Sequence, residues 1–95
     1  MVFLTGTVKM RPQPLTSSQI RAARALLRWT AVELAKRSAV GVATIRRAEL
    51  ADEVTALTAA NDLALRRALE EGGVVFIDAN GGGQGVRHRD RAKET

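Results

Sequence analysis

The feature that most restricts this chain is a pair of short apolar-periodic segments, Thr30–Arg37 and Val42–Leu50, joined by only Ser38-Ala39-Val40-Gly41. Each segment is barely two or three turns long, and helices of that length are marginal in water unless a larger structure holds them. The connection is too short to let the two separate. Thr30-Ala31-Val32-Glu33 reads as a capping box: the hydroxyl accepts from the third backbone N–H and the glutamate reaches back. Leu34 and Ile45 must then be apolar to pin the pair to a core, and Ala35 small so that the second helix can cross it closely.

The rest of the chain supplies that core. At 95 residues it makes one domain. Ala and Leu dominate, and Phe3, Trp29 and Phe76 are its aromatics, a balance that favours closely approaching helices. Thr16-Ser17-Ser18 offers three caps before QIRAARALLRW, with Ile20, Ala23 and Leu27 on one face, so a first helix is expected to end near Arg28. Thr55 or Thr58 caps a fourth helix carrying Ala60, Ala64, Leu65, Ala68 and Leu69, and Gly72-Gly73 stops it. VVFID then reads as a strand, ANGGGQ as a turn and GVRHR as the returning strand. Before all this, Val2–Met10 has the composition of an edge strand that Pro12 and Pro14 end. The expected plan is mostly α: an N-terminal arm over 1–15, a four- to five-helix domain over 16–71, a β-hairpin over 72–89 and a polar tail over 90–95.

Charge is unevenly placed. Residues 1–50 carry a net +7, residues 51–75 a net −3 and residues 76–95 a net +1. The excess lies where the short helices are, which suits an anionic partner such as nucleic acid; a solvated basic face is the plain alternative.

Two short helices, a four-residue turn and basic residues on the outer side of the second make a helix-turn-helix motif. The run QIRAARALLRWTAVELAKRSAVGVATIRRAE, Gln19 to Glu49, resembles the Cro/repressor-type helix-turn-helix domains, the XRE family. The matching positions are Leu34-Ala35 in the second helix, Thr44-Ile45 in the third, and an arginine and a glutamate, Arg24 and Glu49, which in that family pair in the interior.

The resemblance implies a small bacterial DNA-binding regulator, most simply a repressor, whose third helix lies in the major groove of double-stranded DNA. It places Val42, Ala43, Thr44 and Arg47 at base edges and Arg46 at a phosphate or flanking base, with Thr30 and Ala31 presenting backbone N–H groups to a phosphate. Arg28, Lys36 and Arg37 add general attraction to the backbone. The sequence departs from the family pattern at several points. Ala31 stands where a glutamine is usual, Ala39 where the turn usually has glycine, Gly41 where a serine or threonine usually caps, and Val42 and Ala43 where polar base readers are usual. The last two can meet thymine methyls but donate no hydrogen bond to a base.

A homodimer is expected, since one short helix buries too little surface to select a site. A strand edge in VVFID or in the N-terminal VFLTGTV could pair with a second copy; equally, the hairpin could serve as a wing with Arg87 and Arg89 at phosphates. The rival reading is a protein-binding module, an anti-activator or antitoxin that sequesters a regulatory partner through Ala31, Val42 and Ala43.

Several other functions find no support. GGGQG lacks the lysine and the following helix of a phosphate-binding loop. No cysteine is present and His88 is the single histidine, so neither a metal site nor a cofactor is expected. No nucleophile, base and oxyanion donor assemble, so an enzyme is not expected. Glu70 and Glu71 are expected to be solvated, with contact to a basic partner as the alternative. No apolar run is long enough to span a membrane and no secretory leader is evident, which makes the cytoplasm the expected location.

Overall fold

The computed structural model describes residues 13–89, and the expected arm strand over Val2–Met10 and the polar tail lie outside them. Among the described residues the chain forms four helices, α1 (Ser17–Leu27), α2 (Ala31–Ser38), α3 (Val42–Leu50) and α4 (Ala59–Gly72), followed by strands β1 (Val74–Ile77) and β2 (Gly85–His88). The strands pair antiparallel with Val74 opposite His88 and Ile77 opposite Gly85.

Local chemistry sets the boundaries. Thr16 caps α1 reciprocally: its hydroxyl accepts from the Gln19 N–H, and the Gln19 side chain accepts from the Thr16 N–H at 3.0 Å. Thr30 caps α2 through the Glu33 N–H at 3.0 Å. The expected return contact from Glu33 is not made, because its carboxylate turns along the helix to Arg37 at 2.6 Å. Thr58, rather than Thr55, caps α4, and Gly73 ends it in the left-handed region at φ 117°. The turn between α2 and α3 also requires a left-handed residue, supplied by Ala39 at φ 62°.

One core holds the elements together. Leu15, Ile20, Leu34, Ile45, Leu65, Leu69 and Val74 are essentially inaccessible, with Ala23, Ala48 and Ala68 as the small residues that let helices approach. Val40, in the α2–α3 turn, plugs the same core, and Ala35 packs against its edge. Ala60, expected on the inner face of α4, is exposed: the buried side of the helix is Leu65, Arg66, Ala68 and Leu69, and Ala60 in its first turn is not covered. The hairpin packs on α1 and α4, with Phe76 and Val86 turned toward the core. Gln19 fastens it there, its buried amide donating to the Gly85 carbonyl at 3.0 Å and the Ile77 carbonyl at 3.4 Å.

Candidate nucleic-acid interface

The inner face of α3 is occupied by Ile45, Ala48 and Glu49, all buried. At about 100° per residue this leaves Ala43, Arg46, Arg47 and Leu50 along the outer face, and all four are exposed. Val42 and Thr44 flank that face and are half-buried. Arg47 reaches back along the helix to the Thr44 hydroxyl at 3.4 Å, which keeps its guanidinium over the N-terminal half of α3.

What fixes this helix is an ion pair at its far end. Arg24, on α1, grips the Glu49 carboxylate with two charge-assisted hydrogen bonds: Nε to Oε2 at 2.7 Å and Nη2 to Oε1 at 2.8 Å. The same guanidinium donates from Nη1 to the Trp29 carbonyl at 2.9 Å, tying in the chain between α1 and α2. The hydrogen bond to Glu49 raises the Arg24 pKa further, against the opposing effect of burial, so this arginine is always charged. Arg21 adds a bond to the Glu49 backbone carbonyl. Arg24 and Glu49 therefore brace the fold from the inner side of α3, Glu49 buried and Arg24 half-buried.

The other expected contact residues divide into free and engaged. Arg28, Lys36, Arg46 and Arg47 are exposed and have no carboxylate partner among the described residues. Arg37 is instead held twice, by Glu33 and by the face of Trp29, whose ring centroid lies 4.4 Å from the guanidinium carbon. Thr30 is exposed at the α2 N-terminus, but its hydroxyl is used in capping; Ala31 is half-buried against the core. On the hairpin, Arg87 is exposed opposite Val75. Arg89 folds onto the C-terminal end of α4, donating from Nη1 to the Glu70 carbonyl at 3.1 Å. The two arginines read together as a wing thus have different surroundings.

Three structural residues carry little signal in the sequence. Arg66 looks like one more helix-surface cation, yet it is buried, donating from Nη2 to the Gln13 carbonyl at 2.7 Å with its guanidinium carbon 5.1 Å from the Phe76 ring centroid. Glu70, expected to be solvated, stands 3.8 Å from Arg66 one turn along α4. Glu53 caps α1 from a distant loop, accepting from the hydroxyls of Ser17 and Ser18 and from the Ser18 N–H. The Ser18 hydroxyl, its backbone N–H and the Ser17 hydroxyl together lower the Glu53 pKa from its ordinary 4.5.

No family model matches this chain, and no curated protein matches it. Among the described residues no group of three potential metal-ligating side chains comes together, and no helix is long and apolar enough to cross a membrane.

Proposed function

We propose that this protein is a DNA-binding transcriptional regulator of the repressor-like helix-turn-helix type, with α3 as its recognition helix. The observation that carries the reading is the outer face of α3, where Arg46 and Arg47 stand exposed with no carboxylate partner among the described residues, on a helix braced from behind. A braced helix with two exposed guanidinium groups, one of them resting on the Thr44 hydroxyl, suits the major groove, where arginine donates two hydrogen bonds to the O6 and N7 acceptors of guanine. Arg28 and Lys36 add positive charge on neighbouring elements, while Arg37 contributes less because Glu33 neutralises it. Exposed Ala43 supplies a methyl for thymine contact, and the half-buried Val42 supplies part of one.

In this reading the protein acts as a homodimeric repressor in the cytoplasm, with no cofactor and no catalytic step. The sequestering-module reading draws less support. Ala31 packs against the core and Val42 is half-covered, so Ala43 alone of that trio presents a fully open apolar surface.

Selection of bound sites from a random duplex pool at two salt concentrations tests the proposal. A recovered palindromic consensus, tightened at the higher salt, is the expected result. Recovery of no consensus together with failure to retain duplex at low salt overturns it.

A further inference from the structure

The hairpin turn ANGGGQ plays no part in the proposed α3 interface, and it is anchored only at its two shoulders. On the β1 side, the Gln13 side chain accepts from the Ala79 N–H at 3.2 Å and donates to the Ala79 carbonyl at 3.3 Å. On the β2 side, the Gly85 carbonyl accepts from the Gln19 amide at 3.0 Å. Between these anchors Asn80, Gly81, Gly82, Gly83 and Gln84 are all exposed. Among the described residues, neither the Asn80 side-chain amide nor the Gly81 N–H has a hydrogen-bond partner. Gly81 stands at φ 107°, and a Cβ placed at Gly81, Gly82 or Gly83 would meet nothing within 4 Å. The backbone there is free to rotate, as expected of a loop tip held by no ladder or cap.

An asparagine followed by glycine in such a turn is set up for ring closure. The Gly81 backbone nitrogen, on giving up its proton, attacks Cγ of the Asn80 amide. The N–Cγ bond forms, the bond from Cγ to the side-chain nitrogen breaks, and ammonia leaves with the proton, giving a five-membered succinimide. Water then opens the ring at either carbonyl. One opening gives aspartate in the original backbone, and the other gives isoaspartate, whose chain runs through the side-chain carbon. The net change is amide plus water to carboxylic acid plus ammonia, with no redox step. Two local conditions decide whether a folded chain permits it: the attacking nitrogen must not be hydrogen-bonded, and the backbone must be able to bring it to Cγ. Asn80 meets both. Asn61, the other asparagine, meets neither, because the Asp62 N–H donates to the Thr58 carbonyl at 2.9 Å inside the first turn of α4.

We propose that Asn80 is a site of spontaneous deamidation and isoaspartate formation in the folded protein, directed by the open stretch between the Ala79 and Gly85 anchors. The change lowers the formal net charge of +5 by one unit. The extra backbone carbon of isoaspartate falls in the unanchored stretch, so the register of Val74 opposite His88 is retained. The modification proceeds whether or not α3 meets DNA.

Ageing of the full-length protein in mildly alkaline buffer tests this, with peptide mapping and enzymatic methylation of isoaspartyl carboxylates as readouts. A synthetic peptide of residues 77–84 under the same conditions supplies the unrestrained rate. Asn80 in the protein should convert within about tenfold of that rate, since little local opening is needed, and should yield isoaspartate together with aspartate. Asn61 should keep its amide over the same period. Asn80→Gln should abolish conversion at this position, and Gly81→Ala, which adds a Cβ beside the attacking nitrogen, should slow it severalfold. Unchanged tryptophan emission verifies the fold of both variants. A slower rate in the protein than that limit overturns the proposal, as does conversion unaffected by Gly81→Ala. Aspartate without isoaspartate would mark direct hydrolysis in place of ring closure, and conversion of Asn61 at the pace of Asn80 would remove the role of the turn; each also overturns it.

Discussion

Replacing Arg24 by methionine keeps the aliphatic stem and removes three hydrogen bonds, two to the Glu49 carboxylate and one to the Trp29 carbonyl. The Glu49 carboxylate is then left with little water, since its side chain is only 10% exposed, whereas Arg24 is 25% exposed. Removing one partner of a fully buried pair costs about 3–5 kcal/mol. The partial exposure of Arg24 lets water screen the charge, which sets the expectation near the lower end, about 3 kcal/mol. For a domain of this size that corresponds to a drop in Tm of about 12–24 °C. The double variant Arg24→Met/Glu49→Leu removes the stranded charge and should lose only about 1 kcal/mol, less than the Arg24→Met loss alone and well short of the sum of the two single losses. Calorimetry of the wild type, both single variants and the double variant measures the cycle. Additive losses would refute the brace as the element that fixes α3.

Other perturbations test other parts of the fold. Ala39 is exposed at φ 62°, a conformation disfavoured by its Cβ, so Ala39→Gly should raise stability by about 0.5–1 kcal/mol in urea titration, despite the greater unfolded-state entropy of glycine. A Cβ at Gly72 would lie 2.6 Å from Trp29 Cη2 and 2.8 Å from Leu27 Cδ1, so Gly72→Ala should cost about 1–3 kcal/mol and shift the emission of the single tryptophan. The lowered pKa of Glu53 means that its contribution is complete above 4.5 and is lost as the pH falls through its lower folded value. Glu53→Gln should therefore flatten the acid limb of a Tm-against-pH curve and leave the curve's slope unchanged above neutrality.

Much of the fold is legible because its instructions are local. The Thr caps, the Gly72-Gly73 stop and the spacing of Ile20, Ala23, Leu34 and Ile45 each act within a few residues, and the structure places them accordingly. The Thr16–Gln19 box carries a local signal too, a hydroxyl followed three residues later by an amide, although the second task of Gln19 at the hairpin carbonyls depends on residues some sixty positions away. Arg66 and Glu53 are illegible for the same reason. A basic residue in a run such as LALRRALEE looks solvent-facing until Gln13 and Phe76 are brought against it. At the candidate site, the sequence pattern picks out the outward face of α3, and the resemblance to the repressor-type domains picks out the inward pair Arg24–Glu49. It does not reveal that Arg37 is engaged by Glu33 and Trp29, or that Arg89 closes the end of α4. Those outcomes depend on rotamer competition among neighbours, where several partners of equal chemistry are within reach.

The central claim is that the outer face of α3 contacts duplex DNA through Arg46 and Arg47. The most direct measurement is the salt dependence of duplex affinity for the wild type, Arg46→Ala and Arg47→Ala, on a site recovered by selection. Each phosphate contact contributes a log–log slope of about −0.9, so Arg46→Ala should reduce the slope by about one contact if Arg46 meets a phosphate. Arg47→Ala should cost about 1–3 kcal/mol on the selected site and relax preference at one base position while leaving nonspecific affinity nearly unchanged. Unchanged affinity, slope and base preference in both variants would contradict the account.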